Sequence, residues 1–171
     1  YNSYLRGMPN TKPAYSMKKY LIPLFCMMMM PWISMAQDFI TLNNQFIALY
    51  EKGDYEAALP VGLKALAQGK KEFGINHVNY AIAADNLANA SYKLGHFSDA
   101  IFLFKDAKRA YTAAVGDAEI VEVGLCNNAI GNSFYNLEKY DSALQYYAQA
   151  YHYFKGYPQD QYANLMAAAS N

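Results

Sequence analysis

The chain has 171 residues and carries 14 basic and 14 acidic side chains, for a formal net charge of zero. Its lysines and arginines are too scattered, and its net charge too small, to suggest a nucleic-acid-binding surface. Two cysteines in a chain this long exclude a disulfide-dense scaffold, so stability must come from packing.

Residues 1–16 show no apolar periodicity and contain Gly7, Pro9 and Pro13, so no structure is expected there. Met17-Lys18-Lys19 then leads into an apolar run from Tyr20 to Ile33, followed by Ser34-Met35-Ala36-Gln37. A basic start, a short apolar middle and small residues before a cut describe a secretory signal peptide at 17–36. The run of 14 residues falls short of the roughly 20 that a spanning helix needs, and Pro23 and Pro31 interrupt it. Cys26 does not fit a lipid-anchoring motif, because Phe25 stands where a small residue is required. The expected product starts at Gln37 and is exported, periplasmic or extracellular, with no membrane association beyond the signal peptide. It would carry a charge of −4 and one thiol, Cys126.

From Asp38 onward, apolar residues recur at helical spacing and no stretch alternates as a strand does. The pattern predicts helices at 38–52, 54–73, 78–93, 97–115, 119–136, 140–155 and 159–170. Between them lie Gly53-Asp54, Gly74-Ile75-Asn76-His77, Gly95-His96, Gly116-Asp117, Glu138-Lys139 and Gly156-Tyr157-Pro158. Such residues cap helices or reverse the chain.

The helices repeat. Leu49-Tyr50-Glu51-Lys52-Gly53-Asp54-Tyr55-Glu56-Ala57-Ala58-Leu59 returns 42 residues later as Ser91-Tyr92-Lys93-Leu94-Gly95-His96-Phe97-Ser98-Asp99-Ala100-Ile101. A third copy follows after a further 43, as Phe134-Tyr135-Asn136-Leu137-Glu138-Lys139-Tyr140-Asp141-Ser142-Ala143-Leu144. A second shared alanine follows in each copy, at Ala65, Ala107 and Ala150. Self-similarity at this period predicts stacked helix hairpins, each burying the apolar face of its neighbour. Gly53 and Gly95 suit the reversal between helices, whereas Glu138 must close the third turn without glycine's freedom.

These residues resemble the tetratricopeptide repeat. Asn86-Leu87-Ala88, Tyr92, Gly95, Phe97, Ala100, Phe104 and Ala107 follow its pattern in the second copy. Ile130-Gly131-Asn132, Phe134-Tyr135, Tyr140, Ala143, Tyr147 and Ala150 do so in the third. The first copy departs at Phe46, where a small residue is usual. The 42-residue period, Tyr55 to Pro60 and the loop Phe73-Gly74-Ile75-Asn76-His77 are similar to the longer subtype of kinesin light chains and many bacterial proteins. The resemblance implies an all-α fold of tandem antiparallel hairpins stacked into a right-handed superhelix. Its repeats would fall at 38–75, 78–117 and 119–157, with a partial fourth at 159–171. That last segment lacks a partner helix and leaves Leu165-Met166-Ala167-Ala168-Ala169 uncovered. The chain is therefore expected to be a fragment that self-associates through this end.

In this family the first helix of each hairpin lines a concave groove. The matching positions are Asn43, Ile47 and Tyr50, then Asp85, Asn89 and Tyr92, then Asn128, Asn132 and Tyr135. Each trio is spaced i, i+4, i+7 and lies on one side of its helix. Side-chain amides can clamp the backbone of an extended peptide, and tyrosines add flat area with a polar tip. Asparagine is a poor helix former, so its recurrence asks for a reason: groove function, composition, or bonding between neighbouring helices. Carboxylate-gripping members of the family place basic residues here, and this sequence has Asn43, Asp85 and Asn128 instead. Lys105 and Lys108 are expected on second helices, away from the groove.

No catalytic pattern emerges. His77, His96 and His152 lack a second ligand at helical spacing, Cys126 lies on an apolar face, and phosphate-loop and nucleophile-elbow motifs are missing. The sequence thus predicts a non-catalytic, exported scaffold for a protein or extended peptide, with no cofactor, metal or nucleic acid. The competing reading is the sensory or substrate-recruiting arm of a larger bacterial enzyme, since similar arrays precede caspase-like peptidase or sensor histidine kinase domains. A structural repeat in an envelope assembly is a third.

Overall fold

The computed structural model describes residues 38–116 and 121–155, which form six α-helices. α1 covers 38–51, α2 Tyr55–Phe73, α3 Val78–Lys93, α4 Phe97–Val115, α5 Val121–Asn136 and α6 Tyr140–Phe154. These bounds lie within two residues of those read from periodicity. The segments 1–16 and 17–36 and the partial repeat at 159–171 lie outside the described residues. Consecutive helices pack on one another from α2 through α6, and the Phe39 ring of α1 meets Phe73 of α2 at 5.4 Å. The fold is an all-α helical-repeat solenoid. Among the described residues no helix is long and apolar enough to cross a membrane.

The three hairpin turns close identically. The N–H groups of Asp54, His96 and Lys139 donate to the carbonyls of Leu49, Ser91 and Phe134 at 2.9–3.0 Å. One residue earlier, Gly53, Gly95 and Glu138 donate to Tyr50, Tyr92 and Tyr135 at 2.9 Å. This double closure satisfies carbonyls left open at a helix end and needs a left-handed residue. Gly53 and Gly95 both sit at φ 77°, and Glu138 takes the same role at φ 59°. The third turn therefore keeps its geometry and absorbs the steric cost of a Cβ, about 1–2 kcal/mol. Beside each turn an edge-on aromatic pair repeats: Tyr50 with Tyr55, Tyr92 with Phe97, Tyr135 with Tyr140, at 5.1–5.4 Å.

The shared alanines are all in the core. Ala58, Ala100 and Ala143 are buried, as are Ala65, Ala107 and Ala150. Ala100→Leu is expected to overpack its site and cost about 1–3 kcal/mol, measured by denaturant titration. An unchanged midpoint would contradict the repeat register.

Phe46 finds its explanation on the facing helix. A Cβ on Gly62 would come within 2.9 Å of the Phe46 ring, so the aromatic on α1 occupies space that glycine leaves on α2. The equivalent pairs are Ala88 with Phe104 and Gly131 with Tyr147, where the small residue is on the first helix and the ring on the second. One level along, the same inversion recurs. Phe39 covers Gly69, Tyr111 shares a cluster with Ala81, and Phe154 lies within 2.8 Å of a Cβ built on Gly124. The first hairpin is the large-for-small mirror of the other two, with contact volume kept.

Candidate functional site

The first helices α1, α3 and α5 are joined side by side through polar groups. Asn86 Nδ2 donates to Asn43 Oδ1 at 2.9 Å, linking α3 to α1. Between α3 and α5, the Cys126 thiol points at Asp85 Oδ1 at 3.8 Å, and Asn136 Nδ2 donates to the Tyr92 hydroxyl at 3.0 Å. The positions named from the sequence thus occupy three adjacent helices. They are not equally accessible. Tyr135 is 58% exposed and Ile47 36%, while Asn43, Tyr50, Asp85, Asn89, Tyr92 and Asn132 are partly buried. Asn128 is buried at 3%, with its Nδ2 lacking an acceptor.

Bonding between helices accounts for part of the asparagine content. Asn43 accepts from Asn86, and Asn132 Oδ1 accepts from the Tyr147 hydroxyl of α6 at 2.8 Å. Asn89 instead donates to the Asp85 carbonyl of its own helix at 2.9 Å. The tyrosines also brace the turns through the edge-on pairs already described.

Asp85 is the electrostatic centre of this face. Burial raises its carboxyl to about 6, and Glu122 adds to the rise while the Cys126 thiol opposes it. No lysine or arginine pairs with it among the described residues, where the ion pair is Arg109 with Asp106 at 2.7 Å. Cys126 is buried at 1%, and burial, reinforced by Asp85, holds its thiol well above the usual range. It stays protonated at neutral pH, which suits packing and not nucleophilic attack. Tyr111 from α4 is likewise pushed up by burial first and Asp85 second.

The remaining polar contacts serve the scaffold. His77 caps α3, accepting at Nδ1 from the Asn79 N–H at 3.1 Å, and stacks on Phe73. Arg109 holds Asp106 and reaches Asn76 and the Ile75 carbonyl, so α4 ties down the loop between α2 and α3. Tyr80 donates to Asp106 at 2.6 Å, and burial with that carboxylate pushes its hydroxyl up to about 12. On the second-helix side, Lys105 lies over Phe134 and Tyr146. Lys108 donates to the buried Asn127 Oδ1 at 2.8 Å. Both lysines are on a second helix as expected, but both carry contacts to α5 and α6.

One feature was missed from the sequence. A cleft of about 300 Å³ between α2 and α4 is lined by Leu59 and Leu63 of α2, Leu87 and Ser91 of α3, and His96, Asp99, Phe102 and Leu103 at the start of α4. Phe102 is 71% exposed and Leu63 59%. The clue was present: Phe102 falls outside the stripe of Phe97, Ala100, Ile101, Phe104 and Ala107.

The family model for the tetratricopeptide repeat matches residues 38–113, the stretch that holds α1, α2, α3 and most of α4. The match supports the tetratricopeptide repeat family. Proteins of that family generally mediate protein–protein contacts and generally act as non-catalytic scaffolds. No curated protein matches the chain. Among the described residues no group of three His, Cys, Asp or Glu side chains comes together to hold a metal.

Proposed function

We propose that the chain is a non-catalytic scaffold that binds a protein through an extended peptide laid across α1, α3 and α5. The observation that carries this reading is the joining of the three first helices by Asn43–Asn86, Asp85–Cys126 and Tyr92–Asn136. It turns three separate trios into one surface with amides, a carboxylate and tyrosines at repeating levels. Our proposal includes export after removal of residues 17–36. The sequence's resemblance to the longer bacterial subtype leaves the recruiting arm of a larger enzyme as the second reading, in which the same face would take the substrate.

The test is selection of binders from a displayed random peptide library on the full chain, followed by affinity measurement on variants. Asn89→Ala is expected to cost about 1–3 kcal/mol of binding by leaving a peptide group unpaired. Tyr135→Ala should cost as much or more through lost contact area. Each variant is checked for unfolding, because Tyr135 also braces Tyr140. Lys64→Ala, exposed on α2, should leave affinity unchanged and is a cleaner control than Lys105 or Lys108. Loss at Leu63 or Phe102 with none at Asn89 and Tyr135 would move the site to the α2–α4 cleft.

A further inference from the structure

Charge is sorted between the two layers of the solenoid. The first helices α1, α3 and α5 bear four acids, Asp38, Glu51, Asp85 and Glu122, against one base, Lys93. The second helices bear six bases against five acids. Asp85 stands in the middle repeat of the first layer, partly open and without a cationic partner among the described residues. The groups that face it are Tyr50 from α1, Tyr111 from α4, and Cys126 and Glu122 from α5, while no group of α2 acts on it. Lys108 from α4 reaches this cluster only through its influence on Cys126. None of these neutralises the carboxylate.

The equivalent level one repeat on is closed. Asn128 is the register equivalent of Asp85, and its Nδ2 is buried with no acceptor. With no exposed surface, that donor lies out of reach of a peptide laid on the face, so a cation contact falls at Asp85 and not at its equivalent. A partly open carboxylate without a cationic partner among the described residues, with the Tyr50 ring acting on it, complements one chemistry: a lysine or arginine head.

We infer that the first-helix face selects extended peptides bearing lysine or arginine, with Asp85 as the anchor for the cationic group. This rests on the groove reading above and adds the class of partner. Ionisation of Asp85 makes the affinity pH-dependent. Above about 6 the carboxylate is charged and attracts the cation; below it the group is protonated and the attraction is lost.

The experiment uses the full chain and peptides from the random library, measured by fluorescence polarisation at pH 7.5 and pH 5. Enrichment of lysine and arginine is expected among the selected sequences. Asp85→Asn keeps an acceptor for Cys126 and should weaken a cationic peptide about tenfold or more. It should also abolish the fall in affinity between the two pH values. Glu122→Gln, exposed on α5, should give a smaller loss of the same sign. Selected sequences that are acidic or neutral, or an Asp85→Asn affinity within twofold of wild type, would overturn the inference. If Asn89→Ala and Tyr135→Ala still weaken those peptides, the groove reading survives alone. No binder, or binders lost at Phe102→Ala, would overturn both.

Discussion

Phe46→Ala and Gly62→Phe are each expected to destabilise the protein, and the double substitution is expected to recover most of the loss. Phe46 is 2% exposed, so truncating it removes a buried ring and leaves a cavity, at about 3–5 kcal/mol. A ring added at Gly62 meets Phe46 and Leu87, since even a Cβ there would lie 2.9–3.0 Å from their side chains. Together the two changes give the first hairpin the arrangement of Ala88 with Phe104, a small residue on the first helix and a ring on the second. The interaction term of the double-mutant cycle should therefore be large and favourable, read from the midpoints of denaturant unfolding. Additive losses would show that the inverted packing is not a true equivalence between repeats.

Asp85→Asn should stabilise the protein at neutral pH. The folded carboxyl is raised from 3.8 to about 6, so the native state holds its proton more tightly than the unfolded chain. An acid with a raised folded value weakens the fold as it ionises. The penalty is absent below the unfolded value of 3.8, grows through the window up to about 6, and is complete above it. A rise of this size corresponds to about 3 kcal/mol, and the partial exposure of Asp85 to solvent brings the expected gain to about 1–3 kcal/mol. Thermal unfolding between pH 4 and pH 7.5 should show the wild type losing the stability that Asp85→Asn retains. Parallel curves for the two proteins would contradict a desolvated carboxylate. A group that weakens the fold and lacks a cationic neighbour is what a binding residue looks like, which ties this result to the cationic-peptide inference.

Helices and turns were legible because each left a local mark. Glycine stands at every break except Glu138-Lys139, and the alanines recur with the period. Phe46 read as a departure from the pattern. Its partner Gly62 could be recognised only once the facing helices were paired, because volume is conserved across the contact and not along the chain. The candidate face was legible as positions but not as partners. Register placed Asn43, Asn89 and Asn132 on one side of their helices, yet Asn86 and Tyr147 as partners of Asn43 and Asn132 depend on how helices abut, while the partner of Asn89 is the carbonyl of Asp85 on its own helix. Cys126 against Asp85 is invisible in sequence for the same reason, being a contact across 41 residues between adjacent helices. Glu138 shows the limit from the other side, since its left-handed φ follows from the turn it must complete and not from its own preference.

Binding by the first helices of the three hairpins is tested most directly by backbone amide shifts of the isotope-labelled full chain, recorded as a library-selected peptide is titrated in. Perturbations should concentrate at Asp85, Asn89, Tyr92, Asn128, Asn132 and Tyr135, with the amides of α2 and the exposed side of α4 unmoved. Perturbations confined to Leu59, Leu63, Leu87, Ser91, Phe102 and Leu103, with Asp85, Asn89 and α5 silent, would contradict a binding surface on the first helices.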